Sequence, residues 1–211
     1  MKEKIIEYIK RNRVSSTQVA DTLDKTGAIS GLRALNSKKF KVGNVFWVYA
    51  YGETNWDVHE QIVNVKEGDI VFVEVFDCNE RAIFGDIVAK YLLLYKGAEA
   101  IVVNGNLRDV HRLIKEDWPI WCKGTNPIGC FNTKLEKTLD SRIQEEHRNR
   151  YDGAIAVCDD TGVVIIPKEK HNKEFLERLE FIEKQEDIWY ECIDRYKWST
   201  YDTICLKKYL Q

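Results

Sequence analysis

Two short segments, each read as a glycine turn, hold residue types suited to a carboxylate substrate and a hard divalent cation. The first is Phe84-Gly85-Asp86-Ile87-Val88, and the second is Asn104-Gly105-Asn106-Leu107-Arg108-Asp109. Magnesium and manganese accept one or two protein carboxylates and fill the remaining octahedron with water and substrate. Asp109 is the candidate single ligand of that kind. An arginine offers a planar fork of donors to a carboxylate or a carbonyl oxygen, and Arg108 is the candidate clamp. Gly85 would let a substrate carboxylate approach the backbone N–H groups from Gly85 through Asp86, Ile87 and Val88 at a helix start. The same residues also admit a purely structural reading. Asn106 can cap a helix with Asp109 at its N3 position, and Asp86 can sit in a first turn, where a carboxylate favours the helix dipole. Arg108 would then be a solvated partner.

Other chemistries find less support. His59, His111, His147 and His171 show no metal-ligand spacing, and only His111 falls near the two segments. There is no Gly-x-Ser-x-Gly elbow, no P-loop and no dinucleotide-binding glycine fingerprint after the first strand. Asp159-Asp160 stands before Thr161-Gly162 and reads as a hairpin turn rather than a catalytic dyad. Six cysteines occur without a CxxC pair and are expected to be reduced, packing thiols. A net charge of -2 gives no basic footprint for nucleic acid. That balance also counts against reading the first two helices as a DNA-binding helix-turn-helix. No apolar run is long enough to span a membrane, and Met1-Lys2-Glu3-Lys4 leads into a charged amphipathic stretch with no signal-peptide core. The expected compartment is the cytoplasm.

The elements that must position these residues follow from periodicity. With 211 residues, 44% of them hydrophobic and 31% charged, the chain can build one sizeable core. Ile5, Ile6, Tyr8 and Ile9 form a helical stripe. Ser15-Ser16-Thr17 offers caps for a second helix through Val19, Ala20 and Leu23, stopping at Gly27. From Phe40 the period becomes two, and Val45 to Tyr49 is apolar on both faces, as in a buried strand. Strands are also predicted over 60–65, 70–76, 100–103 and 119–122, with a turn at Gly124-Thr125-Asn126-Pro127. Helical spacing covers Ile87, Val88, Tyr91, Leu92 and Tyr95, with Gly97 as the C′ residue. Val110, Leu113 and Ile114 give another helix, ending before Trp118-Pro119. In the charge-dense stretch 132–150, Leu135, Leu139 and Ile143 share one possible helix face. A hairpin over 154–157 and 163–166 precedes a long amphipathic helix from Asn172 to about Ile193. One compact α/β domain is expected: an N-terminal helical segment (1–38), a sheet core (39–167), and a C-terminal helix and tail (168–211).

In chain order, several of these segments resemble the RraA-like family. They are Ser16-Thr17 with Val19-Ala20-Asp21-Thr22-Leu23, then Phe84-Gly85-Asp86, then Val102-Val103-Asn104-Gly105-Asn106-Leu107-Arg108-Asp109. Pro119 to Pro127 and Asp159 to Pro167 resemble the family's later strand and final hairpin. That family contains the class II 4-hydroxy-4-methyl-2-oxoglutarate/4-carboxy-4-hydroxy-2-oxoadipate aldolases and the regulator of ribonuclease activity A. The resemblance implies a swivelling β/β/α fold and a homotrimer or dimer of trimers with its site between subunits. It implies that Asp109 ligates Mg²⁺ or Mn²⁺, and that Arg108 binds substrate and serves catalysis. It further implies that Asp86 steadies metal-bound water and that the Gly85–Val88 amides cradle the substrate. Glu186 corresponds to an acid donated across the subunit interface. The implied activity is a metal-dependent lyase acting on a 2-oxo acid through a pyruvate enolate, by retro-aldol cleavage, oxaloacetate decarboxylation or both. The alternative is a non-catalytic, protein-binding regulator of a ribonuclease. The regulator branch commonly lacks the metal-binding Asp, so Asp109 favours the enzyme. The chain departs from the family pattern at Asn104, where Asp is common. It also departs in the 21 residues between Asp86 and Arg108, and in the charged stretch 132–150.

Overall fold

The computed structural model describes residues 1–210. Its elements are α1 (Lys2–Asn12), α2 (Ser16–Thr22), β1 (Arg33–Ala34), β2 (Lys41–Tyr51), α3 (Trp56–Gln61), β3 (Asp69–Phe76) and α4 (Asp86–Lys90). There follow β4 (Ala100–Leu107), α5 (Val110–Lys115), β5 (Ile120–Thr125), α6 (Ser141–Tyr151), β6 (Ile155–Cys158), β7 (Val163–Ile166) and α7 (Lys173–Asp194). One mixed sheet holds all seven strands in the order β1-β5-β4-β3-β2-β6-β7. Strands β2 to β5 run parallel, while β1, β6 and β7 pair antiparallel. The sheet nearly closes on itself. The chain ahead of β1 pairs with β7, through Ile29 N–H to Val163 O and Ile165 N–H to Gly27 O, each 2.9 Å.

The central strands are apolar on both sides because both sides are covered. On one face Val48, Val71, Val73, Ile101, Val103 and Ile120 pack under α3, α4 and α5. On the other, Trp47, Phe72, Val102 and Trp121 pack with Leu139 and Tyr151 at the ends of the α6 region. A third cluster joins α1, α2 and α7 to β6 and β7. Burial on this scale contributes roughly 25 cal/mol per Å² of apolar surface removed from water.

The structure corrects several local expectations. Residues 60–65 are not a strand, because α3 continues into a 3₁₀ turn at Ile62–Asn64. Val58, Ile62 and Val65 recur at helical spacing, which places all three in one cluster under the sheet. Asn104-Gly105-Asn106 is not a turn either. Strand β4 runs on to Leu107, with a register shift between Val103 and Asn106. Leu107 is fully buried, and the Asn106 amide donates to Glu80 O at 2.7 Å, so core packing and this stitch hold the strand extended. Gly124 and Thr125 accordingly belong to β5, opposite Asn106 and Leu107. Helix α2 stops at Thr22 rather than near Gly27. Helix α4 passes into a π-helical turn at Tyr91–Tyr95, with Lys96 N–H bonded to Tyr91 O at 3.0 Å. Helix α6 starts only at Ser141, where Asp140 caps it by accepting from Arg142 N–H at 2.8 Å, so Leu135 lies outside it. The long helix is as predicted, with Asn172 as its cap. Among the described residues no helix is long and apolar enough to cross a membrane.

Candidate functional site

The two glycine-bearing segments meet beyond the carboxyl ends of parallel strands, which is where open α/β sheets place their ligands. After β3 the chain loops to Phe84, and after β4 it reaches Arg108. Arg108 N–H donates to Phe84 O at 3.1 Å, fixing one segment against the other. Asp109 then takes left-handed backbone angles, φ 57° and ψ 31°, immediately before α5. Its side chain makes no capping bond to that helix. The capping reading therefore fails: Asn106 is a strand residue, and Asp109 lies outside the helix rather than at N3. The left-handed turn instead lays the carboxylate over Gly85. A Cβ on Gly85 would overlap Asp109 Oδ2 and approach Asp109 Cγ to 2.9 Å. Twelve described non-glycine residues have positive φ, so the angle alone marks only a turn; what distinguishes Asp109 is that its carboxylate lies over Gly85.

Asp86 stands beside this pair. Arg112 Nη1 donates to Asp86 Oδ2 at 2.7 Å. That bond, aided by the Arg112 charge and the Ile87 N–H, holds the Asp86 carboxyl below the usual carboxylate range against its partial desolvation. Asp86 in turn raises Arg112. Arg108 Nε lies 3.6 Å from Asp109 Oδ2, and its guanidinium rests against Gly129. The site thus gathers two carboxylates, Asp86 and Asp109, each with a guanidinium beside it. Asp86, Ile87 and Arg112 also wall a groove of about 700 Å³ that continues over Tyr91, Leu94 and Trp118.

Gly85, Asp86, Arg108 and Asp109 are therefore brought together as the sequence suggested. The Ile87 side chain is 79% exposed and that of Val88 is buried in the core, so toward a ligand at the helix start these two offer their backbone. Glu186 is elsewhere in the chain. It lies on α7 and accepts from Gln18 Nε2 at 2.7 Å, beside α2. Asn104 faces a different cavity, about 650 Å³, with Gly27, Lys123 and Tyr151 in its lining. Asp159 accepts from both Ser16 N–H and Ser16 Oγ at 2.7 Å and anchors α2, in keeping with a turn rather than a dyad. Sequence reasoning missed Arg112. The available signal was its spacing: it follows Arg108 by four residues, and a helix starting at Val110 sends it back toward the first glycine segment. Among the described residues no three His, Cys, Asp or Glu side chains converge on one point. Among the described residues, Asp86 and Asp109 are the carboxylates that meet there.

Fold and site together define a single α/β domain with a nearly closed mixed sheet and an acidic, arginine-flanked site at its parallel strand ends. The RraA-like family model, described as Aldolase/RraA, matches residues 16–165, and the chain belongs to that family. A relative from Halalkalibacterium halodurans, described as a candidate 4-hydroxy-4-methyl-2-oxoglutarate aldolase, is 28% identical over 173 residues, 80% of each chain. A relative of the same description from Shewanella oneidensis is 27% identical over 111 residues, covering 53% of this chain and 63% of its own. Among solved structures, Streptomyces coelicolor RraAS2 is described as an unusual member of the RNase ES inhibitor RraA protein family. It shares the fold with a TM-score of 0.69 at 22% identity, over 92% of this chain and 98% of its own. A Pseudomonas syringae pv. tomato protein matches equally, with a TM-score of 0.69 at 20% identity, over 91% and 92%.

Proposed function

We propose that this protein is a divalent-metal-dependent lyase that cleaves a 4-hydroxy-2-oxo acid to pyruvate and decarboxylates oxaloacetate at the same site. The observation that carries this reading is Asp109, whose left-handed backbone turns a carboxylate away from helix capping and onto Gly85 beside Asp86. The relatives described as aldolases support the lyase class.

The donor set fits a hard cation. The Asp109 carboxylate lies over Gly85, next in the chain to Asp86; two neighbouring carboxylates repel when both are ionised, and a divalent ion relieves that repulsion. Asp109 would hold Mg²⁺ or Mn²⁺, and Asp86 would hold a water beside it. When bound, the ion supplies Lewis acidity toward the 2-oxo group.

The chain's own residues do the rest. The backbone N–H groups around Gly85 and Asp86 receive the substrate carboxylate. Arg108 places positive charge beside the C2 oxygen, where negative charge develops as the C3–C4 bond breaks and its electrons pass into the enolate. Asp86, kept ionised by Arg112, accepts a hydrogen bond from a water and orients it. That water passes the C4 hydroxyl proton to Asp86 and returns it to C3 of the enolate, giving pyruvate. Oxaloacetate decarboxylation passes through the same enolate with CO₂ as the leaving group. The groove beside Asp86 and the exposed Ile87, Leu94 and Tyr95 suit a homotrimer or dimer of trimers, in which a neighbour's Glu186 completes the site.

The test is pyruvate release from 4-hydroxy-4-methyl-2-oxoglutarate and from oxaloacetate, with added Mg²⁺ or Mn²⁺ and with chelator. Asp109→Asn keeps a residue that tolerates left-handed backbone while removing the charge. It should fold and lose at least about 100-fold in turnover, since Lewis-acid polarisation is worth several kcal/mol. Undiminished turnover would refute the metal role. Capture of a ribonuclease by a protein without metal affinity would favour the regulator instead.

A further inference from the structure

The cavity of about 650 Å³ that Asn104 faces lies on the α6 side of the sheet and shares no lining residue with the groove beside Asp86. Its size is that of a small-molecule site, for which roughly 300–1,000 Å³ is usual. It opens at the seam where the sheet nearly closes. Gly27 and Ile165 form one wall, with Ile165 N–H bonded to Gly27 O at 2.9 Å. Tyr151, at the end of α6, forms another. The chemistry above uses none of these residues.

Side chains alternate between the two faces of a strand. Val102 on β4 and Trp121 on β5 point into the apolar cluster on the α6 side. Asn104 and Lys123 are the next residues on that face, so an inward row of apolar side chains ends in an amide and an ammonium. The Lys123 stem runs along Gly31, where an added Cβ would sit 3.8 Å from Lys123 Cγ and 3.9 Å from its Cε. Two more cations line the same cavity: Arg150 from α6 and Lys170 from the turn after β7. The Arg150 guanidinium lies 5.1 Å from the centroid of the Tyr151 ring, whose face holds it at the rim. Glu169 is the single carboxylate of the lining. Among the described residues none of the three cations forms an ion pair. The Asn104 amide likewise has no hydrogen-bond partner there. A cleft lined by one sign of charge focuses its field on an ion of the other sign.

We propose that this cavity is a binding site for a small, hydroxyl-bearing phosphomonoester, with Lys123, Arg150 and Lys170 around the phosphate and the Asn104 amide on a hydroxyl. A carboxylate presents two oxygens in one plane and is matched by a single arginine fork. A phosphomonoester carries a charge of about −1.5 to −2 at neutral pH and three acceptor oxygens, so it takes donors from several sides at once. The cations here arrive from three elements, β5, α6 and the turn after β7, which suits the second geometry. All three are exposed, so a ligand reaches them from solvent. Ile29 and Ile165 give the seam an apolar wall for the carbon skeleton. The site calls on neither a metal nor Arg108, and it stands whether or not the chain is a lyase.

The experiment is calorimetric titration of the full chain, without added metal, with glycerol phosphate and with succinate, a dicarboxylate of similar charge. The expected result is saturable binding of glycerol phosphate at one site per chain, at least about tenfold tighter than succinate. Replacing Lys123 and Arg150 together by Gln should weaken it by at least about tenfold, the worth of a hydrogen bond to a charged group. Asn104→Asp keeps the shape of the cavity, adds one negative charge and should weaken binding as much. Unchanged melting temperatures of the unliganded variants show that each folds. Arg108→Ala should leave glycerol phosphate binding as it is. Absence of saturable binding at millimolar ligand, or binding that survives both the Lys123/Arg150 double variant and Asn104→Asp, would overturn the site. Loss of binding in Arg108→Ala would place the anion at the strand-end site instead and overturn it too. Succinate binding as tightly as glycerol phosphate would overturn the assignment to a phosphomonoester.

Discussion

At the scale of residues, the site depends on one missing side chain and one backbone angle. Gly85 has φ -135°, outside the left-handed region that favours glycine, so φ alone does not call for glycine there. The Asp109 carboxylate requires it, because a methyl group would occupy its place. Gly85→Ala should therefore leave the melting temperature nearly unchanged and lower Mn²⁺ affinity and pyruvate release together, by roughly 10- to 100-fold. Equal loss of stability and activity would instead mark Gly85 as a packing residue. Arg112 is testable through pH. It holds the Asp86 carboxyl below its ordinary range, so the stabilisation from this pair is present above the unfolded-state pKa and is lost as pH falls through the folded-state pKa. Arg112→Ala lets Asp86 return upward, and the acid limb of the pyruvate-release profile should shift to higher pH. An unmoved limb would remove Asp86 from the proton chemistry. Arg108-Asp109 was legible in the sequence because the pair adjoins a buried strand and a helix start. Arg112 was not, because a helix-surface arginine reads as solvated until the helix has a direction.

At the scale of elements, the strands were legible wherever apolar residues sat on both faces of a run. Failure came where one apolar set fitted two periods, as at residues 60–65, and where tertiary contacts override local turn chemistry. Asn104-Gly105-Asn106 carries turn residues, yet the buried Leu107 and the Glu80 stitch keep it in β4. The charged stretch before Tyr151 was legible as helix but not as to what it covers. Its anchor is Glu74, a buried carboxylate on β3 that accepts from Trp47 Nε1 at 2.7 Å and lies 2.7 Å from His147 Nδ1. His147 also meets Phe76 edge-on. His147→Ala leaves Glu74 with a single partner in a buried site and should cost about 1–3 kcal/mol in urea unfolding. It should raise deuterium exchange across residues 141–151 selectively, while pyruvate release, made on the other side of the sheet, changes little. Exchange rising equally in α5 would show that α6 supports the site after all.

At the scale of the whole molecule, topology explains where the candidate site lies and why one chain brings two carboxylates to it. Parallel strands β3 and β4 deliver Gly85-Asp86 and Arg108-Asp109 to the same end of the sheet, and the described residues bring no third acidic or soft ligand to that point. Glu186, which the family resemblance assigns across an interface, is held by Gln18 on the α2–α7 layer rather than beside Asp109. Subunit mixing tests this directly. Asp109→Asn and Glu186→Gln should each be nearly inactive as pure oligomers. Mixed one to one and allowed to exchange subunits, they form some interfaces in which a native Asp109 faces a native Glu186. Random pairing makes these about a quarter of the total, so pyruvate release should recover to roughly a quarter of the wild-type value. A site built within one chain predicts no recovery, because every chain in the mixture carries one defect. Full activity of Glu186→Gln alone would remove that residue from the site and leave water and substrate to complete the coordination around Asp109.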